Sequence, residues 1–471
     1  MVQTLKHHFI LERRFFASLL AISVPIALQN MISFGVNLMD SVMLGSFGDV
    51  AISAANVGGQ PFSILMSIGF GLSSGGGVLI AQYWGRKDTD SIRKVMRISM
   101  QLVFVAALAM TAICLLIPQT IARLYTKDEA IVQAAVSYLT LVVFSYVPYS
   151  VSNNYMMSLR AVEQVKVSAV IYAISFFVNV FFNYVFIFGA FGAPRLEVRG
   201  AAVGTVLARC SELVMVLIYM YRKERVVGFR LGDCLRKERE MFPSYIEHSM
   251  PVLGNELLWG VGFSMISVII GQISSVFMAA YSIVGILNQL AFVTLSGVAS
   301  GAAVITGKAV GEGSRARVQK VANTLLLLAI GVSVVNCVFL LVIGPLFLSF
   351  YHVSAETHAA ASSLIRELAI LQLVIGFDVT CIVGVLRGGG DTRFAFYNEC
   401  GTLWLIAIPL GFLTGIVWKL PVTVVYLCLR SDSIFKSIFS FFRLRSGKWI
   451  RNVTVREMAV EREQTTGNVA Q

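Results

Sequence analysis

Charged side chains are scarce in this sequence: they make up 14% of its 471 residues, whereas 56% are hydrophobic. About a quarter of the residues are charged in soluble proteins, so the composition excludes an ordinary soluble protein. The net charge of +12 comes from Lys and Arg in short segments between apolar runs. That distribution is typical of the loops of a membrane protein, and it argues against a nucleic-acid partner.

Histidine is also rare, and the five histidines lie near termini or loops: His7, His8, His248, His352 and His358. None forms a metal or nucleophile pattern with nearby Asp, Ser or Cys, so we predict that the protein is not an enzyme and needs no cofactor. The seven cysteines are scattered without metal-ligand or redox spacing and give no information on disulfides.

Long apolar runs are what the sequence has in abundance, and each is about 20 residues or longer, enough to cross a bilayer as a helix. They predict an all-α polytopic membrane protein. Lys and Arg cluster in alternate loops, which predicts that both termini are cytoplasmic. The twelve predicted transmembrane helices lie at residues 15–39, 51–81, 94–118, 132–158, 167–190, 200–221, 248–271, 277–307, 319–347, 362–386, 396–416 and 420–442.

An internal repeat divides the chain. At an offset of 226 residues, identical residues align without a gap, among them Pro25 with Pro251 and the Gly71/Gly75 pair with Gly297/Gly301. This predicts two pseudo-symmetric six-helix lobes, residues 1–221 and 245–445, joined by a basic cytoplasmic linker at 222–244 and followed by a polar tail at 446–471. The paired glycines are small-xxx-small motifs, for which we expect close helix packing.

Each predicted lobe has one carboxylate on its first helix, Asp40 and Glu256, at positions that the repeat does not align. A charged side chain at the centre of a membrane helix costs about 3 kcal/mol on insertion scales, so such residues are functional by default. On the predicted sixth helix, Arg209 and Glu212 are three residues apart and should neutralise each other. A group of tyrosines could line a cavity for flat cations: Tyr146, Tyr149, Tyr155, Tyr172 and Tyr281.

Five short segments carry a resemblance to a known family: residues 40–48 (DSVMLGSFG), 81–85 (AQYWG), 200–205 (GAAVGT), 386–392 (LRGGGDT) and the Lys448-Trp449 pair. In this order and spacing they resemble the multidrug and toxic compound extrusion family, over roughly residues 15–452. The resemblance implies a monomeric antiporter in the bacterial inner membrane. It would export small organic, often cationic compounds or drugs by alternating access, driven by inward flow of H+ or Na+.

The resemblance also implies roles for particular residues. Asp40 matches a carboxylate that takes up the coupling ion, and Pro25 matches a proline at which the first helix bends. Asn179, Asn183 and Thr205 match polar positions that join the same site.

A second site is implied in the other lobe, where Glu256 matches a carboxylate of the sodium-coupled branch, so that Na+ is expected at Asp40 or Glu256. The tenth-helix aspartate of that branch is replaced here by Gly376, and Asp378 stands two residues later. Two residues are about 200° of helix, so Asp378 is a candidate that faces a different direction.

A second function remains open, a flippase of lipid-linked precursors on a related two-lobed fold. Such a carrier should have arginines in the midst of several helices to hold a pyrophosphate, whereas Lys and Arg are largely confined here to loops and helix ends. A channel is disfavoured because no re-entrant, filter-like segment is visible.

Overall fold

The computed structural model describes residues 8–454, and within that range all regular elements are helical. Eleven of these helices are long and apolar enough to cross a membrane. They are α1 (Arg13–Gly45), α2 (Asp49–Gly85), α3 (Thr89–Leu116), α4 (Glu129–Ala161), α5 (Val165–Phe188), α6 (Val198–Arg222), α7 (Phe242–Ile273), α8 (Ser275–Gly311), α9 (Arg315–Ser349), α10 (Ala355–Arg387) and α11 (Thr392–Val417). A short helix, Pro118–Tyr125, lies between α3 and α4.

The predicted all-α polytopic fold is confirmed, and α1 to α11 correspond to the first eleven predicted helices. The predicted twelfth helix is divided in the structure into α12 (Val422–Leu429) and α13 (Asp432–Arg445). The polar residues Arg430 and Asp432 stand at the break, and the apolar part of α12 is too short to cross a bilayer alone. Residues 455–471 of the predicted tail lie outside the described residues.

Side-chain caps explain where several helices begin. Asp88 accepts a hydrogen bond from the Ser91 backbone nitrogen at the start of α3, and Asp128 caps α4 in the same way. Ser274 caps α8 and Ser354 caps α10. These oxygens satisfy amide groups that the first turn of a helix leaves unpaired, which is costly in a membrane.

The chain forms two compact units. Unit A comprises Leu28–Ile80 and Asp88–Leu253, and unit B comprises Met1–Ala27, Ala81–Lys87 and Gly254–Gln471. The units differ from the two halves of the repeat because the first part of α1 belongs to unit B and the first part of α7 to unit A. Pro25 and Pro251 each lie two residues before these divisions, inside helices that continue through them. The lobe boundaries drawn from the repeat stay a prediction.

Glycines allow the first part of α7 to pack tightly in unit A. A Cβ atom at Gly71 would lie 2.5 Å from the Cα of Leu253, and one at Gly75 would collide with Ser249. No side chain fits in these positions, so the backbones of α2 and α7 touch.

Unit B repeats the same contact with the equivalent residues. A Cβ atom at Gly297 would lie 2.8 Å from the Cβ of Ala27, and one at Gly301 would collide with Ser23. Ala27 and Ser23 stand 226 residues before Leu253 and Ser249, the offset of the sequence repeat. Close packing at both glycine pairs is therefore confirmed, and the repeat is reproduced in three dimensions.

Candidate functional site

A cavity of about 440 Å³ opens inside unit A, between α1, α2, α4, α5 and α6. This volume lies within the range of small-molecule sites. We call it the unit A cavity. Its polar lining includes Asp40, Gln60, Asn179, Thr205 and Arg209.

Asp40 is held in the wall of this cavity by an amide of α5. The Nδ2 of Asn183 donates a hydrogen bond to the carboxylate Oδ1 of Asp40, and it also donates to the Oδ1 of Asn179 at 3.2 Å. Thr205 lines the same cavity. The structure thus brings four of the predicted ion-coupling residues together, although their role in coupling stays a prediction.

The donor set at Asp40 fits a small hard cation or a proton. The described residues provide no hydrogen-bond partner for the buried Oδ1 of Asn183. That oxygen, the carboxylate of Asp40 and the hydroxyl of Thr205 are hard oxygen ligands, the kind that alkali and alkaline-earth cations prefer. Among residues 8–454 there is no group of three or more His, Cys, Asp and Glu that would instead form a transition-metal site.

Glycines of α6 explain how Asn183 reaches this position. A Cβ atom at Gly204 would lie 3.0 Å from the backbone nitrogen of Asn183 and would collide with its side chain. A Cβ atom at Gly200 would collide with the backbone at Phe186. The GAAVG segment therefore lets α6 approach α5 closely enough to fix the amide beside the carboxylate.

A second charged group lies in the same cavity, on α6. Arg209 donates from Nη1 to Glu212 Oε2 at 2.8 Å, which confirms the predicted pair. Glu212 also accepts from Ser175 Oγ at 3.3 Å, and the Arg209 guanidinium lies 5.0 Å from the ring centre of Tyr149. Glu212 is fully buried, whereas the Arg209 side chain is 18% exposed and lines the cavity.

The tyrosines are only partly where we predicted them. Tyr149 and Tyr172 line the unit A cavity. Tyr146 and Tyr155 are buried outside its lining, and Tyr281 is in unit B, against Tyr426. Their helical positions turn them into the packing between helices, which the apolar composition around them did not distinguish from a cavity. Tyr138 lines the cavity, and no pattern in the sequence singled it out.

In unit B, Glu256 belongs to an ion-pair triad. Arg387 donates to Glu256 Oε1 at 3.1 Å and to Glu399 Oε2 at 2.6 Å. The Arg387 side chain is 4% exposed and ends the π-helical segment Thr380–Arg387, a wider turn of the kind often found at functional sites. A sodium ion at Glu256 would have to displace this guanidinium, so the fit of the residues favours Asp40.

Asp378 also faces a cation. Its carboxylate lies 3.3 Å from the Nζ of Lys436 on α13, which pairs in addition with Asp432 at 2.8 Å. A Cβ atom at Gly376 would collide with the Oγ of Ser333 and lie 3.0 Å from Leu295, so a carboxylate at that position would not fit. Glu256 and Asp378 therefore both have cationic partners, which Asp40 does not have among the ion pairs of the described residues.

The family model MatE matches the chain twice, at residues 25–185 and 251–413. The two matches begin at Pro25 and Pro251, which the repeat aligns. Together they cover more than half of the chain.

Curated relatives match over most of their length. The chain is 22% identical over 436 residues to the uncharacterized transporter YisQ of Bacillus subtilis, covering 92% of this chain and 95% of the relative. It is 25% identical to the probable multidrug resistance protein NorM of Agrobacterium fabrum, covering 86% and 89%. It is 24% identical to the multidrug resistance protein MdtK of Yersinia enterocolitica, covering 87% and 89%.

Solved structures share the fold. The chain superposes with a TM-score of 0.83 on a MOP superfamily transporter from Pyrococcus furiosus, at 16% identity over 92% of this chain and 96% of the other. The TM-score is also 0.83, with the same identity and coverage, for an outward-facing multidrug resistance MATE family transporter. At this identity the likeness establishes the fold alone.

Proposed function

Because this chain belongs to the multidrug and toxic compound extrusion (MATE) family, a family of membrane transporters, we propose that it is a secondary active antiporter exporting organic, often cationic compounds. The observation that carries the proposal is the unit A cavity. It combines aromatic side chains with one carboxylate, Asp40, whose only printed side-chain partner is a neutral amide. Aromatic faces and a carboxylate together suit flat organic cations.

The proposed coupling uses one carboxylate for two ligands. With Asp40 charged, the cavity attracts an organic cation. When a proton or Na+ neutralises Asp40, the cation loses its partner and the Asn183 amide loses its charged acceptor. The free energy of ion binding then favours a second conformation, as a ligand can only when it binds the two states differently. Pro25 removes one backbone hydrogen bond from α1 and is the point at which we propose that this helix bends.

We further propose that the protein works as a monomer in the bacterial inner membrane with both termini in the cytoplasm, as the distribution of Lys and Arg indicates. The lipid-linked flippase is less well supported. Of the arginines, Arg209 alone is among the residues that line the unit A cavity, and it is already paired with Glu212. A pyrophosphate would need more positive charge than one paired guanidinium provides.

The experiment is ethidium efflux from purified protein in proteoliposomes, with a proton gradient and a sodium gradient imposed separately. We expect one gradient to drive efflux and Asp40→Asn to abolish it, because an amide cannot be neutralised by either ion. Asp49→Asn is the matched control, since Asp49 is an exposed carboxylate in the first turn of α2 and should transport normally.

Glu256→Gln and Asp378→Asn belong in the same series. Loss of gradient-driven efflux in either would extend the coupling site to unit B, as the family resemblance implies. Wild-type efflux in Asp40→Asn would contradict the proposed coupling. If neither gradient moved any organic cation, the export proposal would be wrong, and binding of lipid-linked precursors would be the next measurement.

A further inference from the structure

The unit A cavity has a positive charge in its wall, which a site for simple cations does not need. Arg209 lines the cavity together with Asp40. Close to it, Arg160 lies beside Tyr149 and Tyr172 and donates to two uncharged groups, the Oε1 of Gln29 and the sulfur of Met157. With Glu212, the two guanidinium groups carry a net charge of +1. One end of the cavity is therefore positive and the other, at Asp40, is negative.

The guanidinium of Arg209 is fixed in position and has donors to spare. Its Nη1 donates to Glu212, and its plane lies over the Tyr149 ring. Glu212 is the one hydrogen-bond acceptor that the described residues provide for it. A guanidinium has five N–H donors in a rigid fork that matches the two oxygens of a carboxylate. The salt bridge thus orients Arg209 without using its capacity to bind a second anion.

From this geometry, and resting on the export function proposed above, we infer that the cavity takes zwitterionic aromatic compounds, with the cationic group at Asp40 and a carboxylate at Arg209. Arg209 is then the residue that determines whether a carboxylate is accepted.

The two charged ends are linked by a polar face of α5. Ser175 contacts Glu212, and Asn183 contacts Asp40, with Asn179 between them. Ser175 and Asn183 are eight residues apart, which is about 12 Å along a helix. Arg209 and Asp40 project into the space between, so the ligand should carry its charges somewhat closer together, on a rigid aromatic frame that can lie against Tyr149 and Tyr172.

Two rhodamine dyes provide a matched test, since rhodamine 110 carries a free carboxylate and rhodamine 123 is its methyl ester. Fluorescein keeps the carboxylate but lacks the cationic group. We would measure the Kd of each dye for the purified full-length protein by fluorescence anisotropy. We expect rhodamine 110 to bind at least as tightly as rhodamine 123, and fluorescein to bind more weakly because Asp40 repels it.

The variant that tests Arg209 is the double substitution Arg209→Gln/Glu212→Gln, which leaves no buried charge without its partner. We expect it to weaken rhodamine 110 binding about tenfold or more, the usual effect of losing a hydrogen bond to a charged group, and to leave rhodamine 123 nearly unchanged. Rhodamine 123 binding also reports that the variant is folded. Arg123→Gln is the control, because Arg123 pairs with Glu129 on the exposed surface and should alter neither Kd.

Failure of rhodamine 110 to bind would overturn the inference, as would equal losses for both rhodamines in the double variant. Fluorescein binding as tight as that of rhodamine 110 would also overturn it, since the site would then select anions. These outcomes are separate from the export proposal, which fails only if gradient-driven efflux of organic cations such as ethidium and rhodamine 123 is absent.

Discussion

Arg387 should be a major determinant of stability in unit B. It is 4% exposed and bridges Glu256 and Glu399, whose side chains are 22% and 13% exposed. Arg387→Met would leave two carboxylates close together without a cation. Removing one partner of a buried pair costs about 3–5 kcal/mol, and we expect about 3 kcal/mol because both carboxylates keep some access to solvent.

The triple variant Arg387→Met/Glu256→Gln/Glu399→Gln separates this electrostatic cost from lost packing. It removes all three charges with side chains of similar size, and such replacements are often neutral or stabilising. We therefore expect the triple variant to regain most of the stability that Arg387→Met loses. Arg123→Gln is the matched control, because an exposed ion pair contributes only about 0–1 kcal/mol.

The assay is the free energy of unfolding of each purified variant in the same detergent, followed by tryptophan fluorescence and by the loss of the monodisperse peak on size exclusion. A fully stable Arg387→Met variant would refute the reasoning. So would a triple variant as unstable as the single one, because the cost would then come from packing and not from unpaired charge.

Two further predictions concern smaller changes. Gly204→Ala should place a methyl group 3.0 Å from the backbone nitrogen of Asn183 and displace the amide that holds the cavity carboxylate, so gradient-driven efflux should fall about tenfold or more. Gly59→Ala, also in the cavity wall but with open space at its Cβ, should keep efflux, and equal effects of the two would contradict this account. Burial, together with a neighbouring carboxylate, raises the pKa of the Cys234 thiol to about 11. In a variant with this single cysteine, maleimide labelling should be slow at pH 7 and rise about tenfold per pH unit toward pH 11; the rate of a free thiol would be the opposite result.

The sequence was most informative where the signal is local or repeated. Transmembrane helices could be predicted because each needs about 20 apolar residues in a row. The pair of Arg209 and Glu212 could be predicted because residues three apart share one face of a helix. The offset of 226 residues also identified the glycines at which helices touch, since both copies of the motif keep the space that Gly71 and Gly297 provide.

The unit B ion pairs could not be predicted, because their partners are far apart in sequence. Glu256 and Arg387 are separated by 131 residues, and only the packing of α7 against the end of α10 brings them together. Lys436 looked like an interruption of the last helix, whereas in the structure it is the buried partner of Asp378. A charge in an apolar run is ambiguous until its partner is known.

The duplication gave both halves the same helices and the same glycine contacts, but their charges have diverged. In unit B each candidate carboxylate is already compensated, Glu256 by Arg387 and Asp378 by Lys436. In unit A the carboxylate of Asp40 is held by the neutral amide of Asn183 and faces a cavity. A compensated carboxylate has little free energy to gain from binding another cation, whereas one held only by a neutral group has much to gain. For that reason we expect ion and cargo to exchange in unit A, while the ion pairs of unit B stabilise the fold.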